Sequence, residues 1–83
     1  MNKVLIKLYV PFLEESFDIW IPITKKIYNV IELLVKAISE LSEGSYKPTK
    51  MPLLYDRNTA KELDINETIK EAKIKNGTEL ILI

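Results

Sequence analysis

The chain has 83 residues, 47% apolar and 29% charged, and its twelve basic and twelve acidic side chains sum to zero net charge. That size and balance suit one small globular domain over residues 1–83 and argue against long-lived disorder. The even charge leaves no phosphate-tracking basic stripe, so nucleic acid is not an expected partner. No apolar run approaches the ~20 residues of a membrane span, so no membrane insertion is expected either.

The start, Met1-Asn2-Lys3, leads into apolar residues, but Lys7 breaks the run and no small-residue cleavage site follows. Cysteine is absent, which removes disulfide and thiol chemistry. A cytoplasmic location is the expectation.

Residues 3–10 alternate strictly and predict a first strand. Val4, Ile6, Leu8 and Val10 share one face; Leu5, Lys7 and Tyr9 take the other, which Lys7 marks as wetted. Pro11 has no donor and stops the ladder. After a loop over residues 11–15, residues 16–21 alternate again, with Phe17, Ile19 and Ile21 inward and Asp18 and Trp20 outward. Two strands so near in sequence pair as an antiparallel hairpin. A one-residue slip of register would bury Trp20 and expose Ile19 and Ile21 instead.

A helix is predicted over residues 27–41. Ile27, Tyr28, Val30, Ile31, Leu33, Leu34, Val35, Ala37, Ile38 and Leu41 project into one arc of roughly 220°. Asn29, Glu32, Lys36, Ser39 and Glu40 fill the rest. The arc is wider than one helix–sheet contact requires, so either loops wrap its flanks, the simpler account, or part of it faces a partner. Thr24 is the expected N-cap, its hydroxyl accepting an amide hydrogen bond. Gly44 is the expected residue just past the helix, free to turn left-handed.

Pro48 and Pro52 stiffen a crossover loop over residues 44–52. Leu53-Leu54-Tyr55 reads as a third strand, Asp56-Arg57-Asn58-Thr59 as a turn, and Lys61-Glu62-Leu63 as a short edge strand. Residues 64–71 suggest one or two turns of helix capped by Asp64 or Asn66, with Ile69 and Ile74 reaching the core. Asn76-Gly77 is a strong turn signal. The apolar stretch Glu79-Leu80-Ile81-Leu82-Ile83 then reads as the last strand.

The order is therefore strand, strand, helix, strand, short strand, short helix, strand. If one sheet is to cover one helix, the last strand can lie beside the first and parallel to it, reached by a right-handed crossover. At this level the chain resembles ubiquitin and the β-grasp superfamily over nearly its whole length. The resemblance is of pattern more than identity. It rests on Ile27-Tyr28-Asn29-Val30 opening the helix and on Gly44 followed by a proline-containing loop. It continues with Leu53-Leu54-Tyr55, then Leu63, Thr68-Ile69 ahead of Ile74, and Gly77-Thr78-Glu79-Leu80-Ile81-Leu82. The fold class it implies is α+β: a mixed four- to five-stranded sheet with one long helix on one face, in ββαββ order with a short helix before the last strand.

Within the superfamily the chain looks most like the YukD/EsaB group, ubiquitin-like proteins of Gram-positive bacteria associated with type VII (WXG100) secretion. That resemblance implies protein partners among secretion components. Ubiquitin-like modifiers and sulfur carriers act through a C-terminal Gly-Gly tail; here the only glycines are Gly44 and Gly77. Conjugation is therefore not expected.

Conventional catalysis is not expected either. Histidine and cysteine are both absent, so there is no imidazole base, no thiolate and no Cys/His zinc site. Glu14-Glu15 could bind a cation, but a solvated hairpin turn accounts for them more simply. Asp56, Glu62 and Asp64 could chelate a hard cation, yet caps and exposed turns explain them better. No glycine-rich phosphate loop is present. No cofactor and no metal are expected.

What remains is a surface. The alternation assigns Leu5, Lys7, Tyr9, Asp18, Trp20, Leu54, Ile81 and Ile83 to the sheet face away from the helix. Open sheet faces are ordinarily more polar than this, and a contiguous apolar patch on a small protein marks an interaction site. The candidate protein-binding residues are Leu5, Tyr9, Trp20, Leu54, Ile81 and Ile83. Of these, Leu54, Ile81 and Ile83 resemble in position the recognition patch of ubiquitin. Trp20 serves either as a partner anchor or as a packing residue. A patch of ~400 Å² is worth ~10 kcal/mol gross. Association entropy leaves micromolar binding or a weak homo-oligomer.

Overall fold

Pro11 sets the geometry of the first hairpin. In the computed structural model, which describes residues 2–83, β1 spans Lys3–Val10 and β2 spans Glu15–Pro22. The two are antiparallel in an unbroken register from Lys3 opposite Pro22 to Val10 opposite Glu15. Between them the Val10 carbonyl accepts the Leu13 N–H at 3.0 Å, and the Pro11 carbonyl accepts the Glu14 N–H at 3.0 Å. Pro11 thus holds the second position of a turn, where its fixed φ is pre-set. Ile6, Leu8, Val10 and Ile21 are buried, so the register that leaves Trp20 outward is the one adopted.

The helix α1, Ile27–Leu41, has the predicted bounds. Its buried residues, Ile27, Val30, Ile31, Leu34 and Ile38, follow the three-and-four spacing of one helical stripe. The flanks are covered unevenly. Val35 packs against the core, whereas Tyr28, Leu33 and Leu41 remain exposed.

Both helix ends depart from expectation. The N-cap position is Lys26 rather than Thr24, and no side chain caps it. The first amides are satisfied from elsewhere: Ile27 N–H donates to the Glu67 carbonyl at 2.8 Å and Tyr28 N–H to that of Ile65 at 3.1 Å. At the other end Ser42 is the C-cap and Glu43 is the left-handed residue, with φ 54°; Gly44 follows with φ 84°. Gly44 N–H donates to the Ser39 carbonyl at 2.8 Å and Glu43 N–H to that of Glu40 at 3.1 Å, the paired bonds of a Schellman motif. Gly44 therefore lies one position further out than predicted.

β3 spans Leu54–Asp56 and β4 spans Glu79–Leu82. The sheet has four strands in the order β2-β1-β4-β3. β4 runs parallel to β1, as expected of a last strand beside the first, and antiparallel to β3. The anticipated edge strand at Lys61-Glu62-Leu63 reduces to a single bridge between Tyr55 and Glu62. Of the one or two helical turns expected over residues 64–71, a single turn forms, at the C-terminal end of that span. Residues 64–67 instead present the Ile65 and Glu67 carbonyls to the start of α1, which a helical conformation there could not do. Asp64 Oδ1 accepts the Asn66 N–H at 2.9 Å in a local turn. One turn of helix follows later, closed by the Ala72 N–H bond to the Thr68 carbonyl at 3.0 Å. Thr68 and Glu71 cap it reciprocally, each side chain accepting the other's backbone N–H, at 3.0 and 2.8 Å.

The chain enters β4 through Asn76-Gly77. Gly77 has φ 86°, a conformation costly for any residue with a Cβ. The Asn76 side chain accepts the Leu5 N–H at 2.7 Å, Gly77 N–H donates to the Leu5 carbonyl at 2.8 Å, and Lys7 N–H donates to the Thr78 carbonyl at 3.0 Å. These bonds extend the β1–β4 pairing back beyond the start of β4.

The core lies between sheet and helix. It joins Leu54, Leu80 and Leu82 from β3 and β4 to the buried residues of β1, β2 and α1. Tyr46, Ile69 and Ile74 from the connections complete it. No helix among the described residues is long and apolar enough to cross a membrane.

Candidate protein-binding surface

The sheet face away from the helix is built by alternation, so its members follow from the registers. Trp20 of β2 lies opposite Leu5 of β1. Lys7 lies between Asp18 and Glu79 on the neighbouring strands. Tyr9, Ile81 and Tyr55 form a row across β1, β4 and β3. Beyond them Leu53 and Ile83 exchange both backbone hydrogen bonds, at 2.7 and 3.0 Å.

Five of the six candidate residues are on this face. Trp20 is 51% exposed and Ile83 64%, while Leu5, Tyr9 and Ile81 are half-buried among their neighbours. Leu54 is not on it: it lies opposite Leu82, and its exposure is 1%. The assignment of Leu54 to the open face was wrong by one residue. Leu53, Leu54 and Tyr55 are all apolar or aromatic, so alternation within the triplet carries no parity. The pairing with β4 sets it and places Leu53 and Tyr55 outward.

The apolar surface is also divided. The row Asp18, Lys7 and Glu79 separates Trp20 and Leu5 from the cluster of Tyr9, Tyr55 and Ile81. Arg57 reaches over that cluster, its guanidinium 4.9 Å from the centre of the Tyr9 ring and 3.8 Å from the Glu79 carboxylate. The stacked arginine covers one face of Tyr9 and leaves Trp20 as the most exposed aromatic of the sheet. The ion pair is itself half-exposed and contributes little to stability.

A second feature has no counterpart in the alternation of the strands. At the hairpin end of the sheet a groove of about 570 Å³ runs between the β1–β2 turn and residues 46–53. Phe12, 74% exposed, meets Tyr46 edge-on with ring centres 6.3 Å apart. Tyr46 is buried, and that burial pushes its phenol above the ordinary value of 10.0. The groove joins side chains from well-separated segments, so no local pattern announces it; an isolated apolar Phe12 in a hairpin turn was the one available signal.

The acidic residues behave as turn residues. Asp56 Oδ1 accepts the N–H groups of Asn58 and Thr59 at 2.8 and 3.2 Å. Glu14 and Glu15 are exposed, Glu14 in the left-handed region with φ 54°. Among the described residues no three potential metal ligands converge.

No protein-family model and no curated protein sequence matches the chain. Solved structures do. The ubiquitin-like domain of the Mycobacterium tuberculosis type VII secretion protein EccD1 superposes with a TM-score of 0.80 at 14% identity, covering 100% of this chain and 99% of that one. The EccD5 ubiquitin-like domain of Mycobacterium xenopi gives 0.80 at 16% identity, covering 100% and 94%. A chain of the MycP5-free ESX-5 inner membrane complex gives 0.79 at 15% identity, covering all of this chain but 21% of that larger one. At such identities the likeness establishes architecture. Strand order, the parallel β1–β4 pair and these superpositions agree: the chain has the ubiquitin-like β-grasp fold, in a form shared with EccD domains of type VII secretion.

Proposed function

We propose that this chain is a non-catalytic docking module, an accessory or regulatory component of a type VII-like bacterial secretion system that works in the cytoplasm. It binds protein partners through the open sheet face and is not itself a conjugated modifier. The observation that carries the reading is Trp20, held half-exposed beside Leu5 on a rigid sheet rather than folded into the core. Tryptophan on a fixed scaffold is the side chain most enriched at binding hot spots. The full-length superposition on EccD ubiquitin-like domains supports the secretion setting, in line with the YukD/EsaB resemblance.

Docking uses Trp20, Leu5, Ile81 and Ile83, with Leu53 and Tyr55 in place of Leu54. Affinity capture from the native cells tests it. Trp20→Ala and Ile81→Glu each weaken retention of secretion-apparatus proteins by tenfold or more, on the order of ~1.4 kcal/mol, and leave the melting temperature within a few degrees. Normal retention by both variants rejects the face. Intact mass of the captured protein stays that of the free chain; an isopeptide adduct would reverse the assignment from docking module to modifier.

A further inference from the structure

The open sheet face makes no use of Phe12 or Met51, although both are exposed. Both line the groove at the hairpin end, together with Tyr46, Leu53 and Ile83. We propose that this groove binds a short extended peptide that combines apolar side chains with at least one carboxylate.

Three observations point to that occupant. The first is shape. A recess of about 570 Å³, open to solvent and walled by aromatic and aliphatic side chains, lies in the size range of ligand sites.

The second is charge. On a molecule with zero net charge, the only side chains charged at neutral pH among the described residues lining this groove are Lys47 and Lys50. Neither makes an ion pair among the described residues. An apolar floor with two unopposed ammonium groups at its rim complements an acidic, apolar segment and disfavours a basic one.

The third is backbone. Residues 47–52 make no backbone hydrogen bonds among the described residues. The amides of Lys47, Thr49, Lys50 and Met51 and the carbonyls of the whole stretch are left for water or for a ligand, and an extended peptide is the ligand that meets such groups in series. Pro48 and Pro52 hold this wall in an irregular path, so little ordering cost falls on the protein when the groove fills.

The site is independent of the sheet-face docking proposed above, apart from sharing Ile83 and Leu53 at its margin. Amide NMR titration of the intact chain separates the two. The probes are two peptides of about ten residues in which Val alternates with Asp or with Lys. The Val/Asp probe shifts the amides of residues 47, 49–51, 53 and 83 and saturates below millimolar concentration, and the Val/Lys probe does not. Lys47→Glu combined with Lys50→Glu weakens the Val/Asp probe about tenfold, and Phe12→Ala weakens it with the charges intact. Trp20→Ala leaves these shifts unchanged, so loss of one site is legible beside survival of the other.

Absence of saturable shifts with the Val/Asp probe overturns the proposal. So does equal binding of the Val/Lys probe, or a shift map centred on Trp20. Concentration-dependent shifts of the same amides without peptide would make a second copy the occupant and overturn it as well.

Discussion

Leu53 and Leu54 are adjacent, chemically identical and opposite in fate. Leu54 is sealed between sheet and helix, and Leu53 is 39% exposed at the margin of the groove. Their costs on truncation should differ accordingly. Leu54→Ala removes buried methyl groups and leaves a cavity, for about 2–5 kcal/mol. Leu53→Ala loses only partial burial and costs less than about 1 kcal/mol. Urea denaturation of the two variants measures both, and equal destabilisation would contradict the β3–β4 register. Tyr46 shows a different side of burial. Its raised phenol pKa means that the unfolded chain ionises first as pH rises. Stability from this group is therefore complete below about pH 10 and is lost above it, through the folded value.

At the scale of elements, the connections do work that capping side chains do elsewhere. The α1 amides find carbonyls from residues 65 and 67 instead of a Thr24 hydroxyl, so the helix start is tied to a loop almost forty residues later in the chain. The same logic runs in reverse at Asn76, whose side-chain oxygen takes the Leu5 N–H at the end of the central strand pair. Asn76→Ala leaves that amide to solvent and shortens the β1–β4 ladder. A loss of about 0.5–1.5 kcal/mol is expected, together with faster hydrogen exchange at Leu5 and at the amides beside it. Unchanged exchange at Leu5 would mean that water replaces the side chain without cost. The Thr68–Glu71 box stabilises its single turn in the same local manner, and that turn carries Ile69 into the core.

At the scale of the whole molecule, β4 is the element that joins the rest. It is the sole partner strand of β3 and the parallel partner of β1, and Leu80 and Leu82 are fully buried beneath the helix. Removing residues 79–83 strips two core side chains and leaves two strands without a shared neighbour. The expected result is loss of the cooperative urea transition and of near-ultraviolet dichroism, with some helical signal retained. A sharp transition in the truncated chain would show that the β1–β2 hairpin and α1 suffice. The two candidate surfaces also sort out at this scale. Trp20 stands on one side of the charged row of Asp18, Lys7 and Glu79, whereas the groove opens at the far end of the sheet, so the two surfaces meet only at Leu53 and Ile83.

The bounds of α1 and the two faces of β1 and β2 were determined by the sequence itself. Their periodicities, 3.6 and 2, are local, and a charged residue such as Lys7 or Asp18 breaks the tie between faces. The position of β4 beside β1 was legible for a related reason: an apolar strand needs cover on both sides and the connection has one favoured hand. Tertiary structure decided what local pattern leaves degenerate. The triplet Leu53-Leu54-Tyr55 is apolar throughout, so only pairing with Leu82 could choose which leucine is buried. Thr24 looks like a cap, but the Glu67 carbonyl already takes the Ile27 amide it would have served, whereas Asp64 caps only a local turn through the Asn66 N–H. The division of the sheet face by Arg57 and its charged row, and the groove beneath Phe12, arise from segments that meet only once the chain has folded. A surface made of distant pieces has no period to read, and it exists only as a consequence of the packing that brings those pieces together.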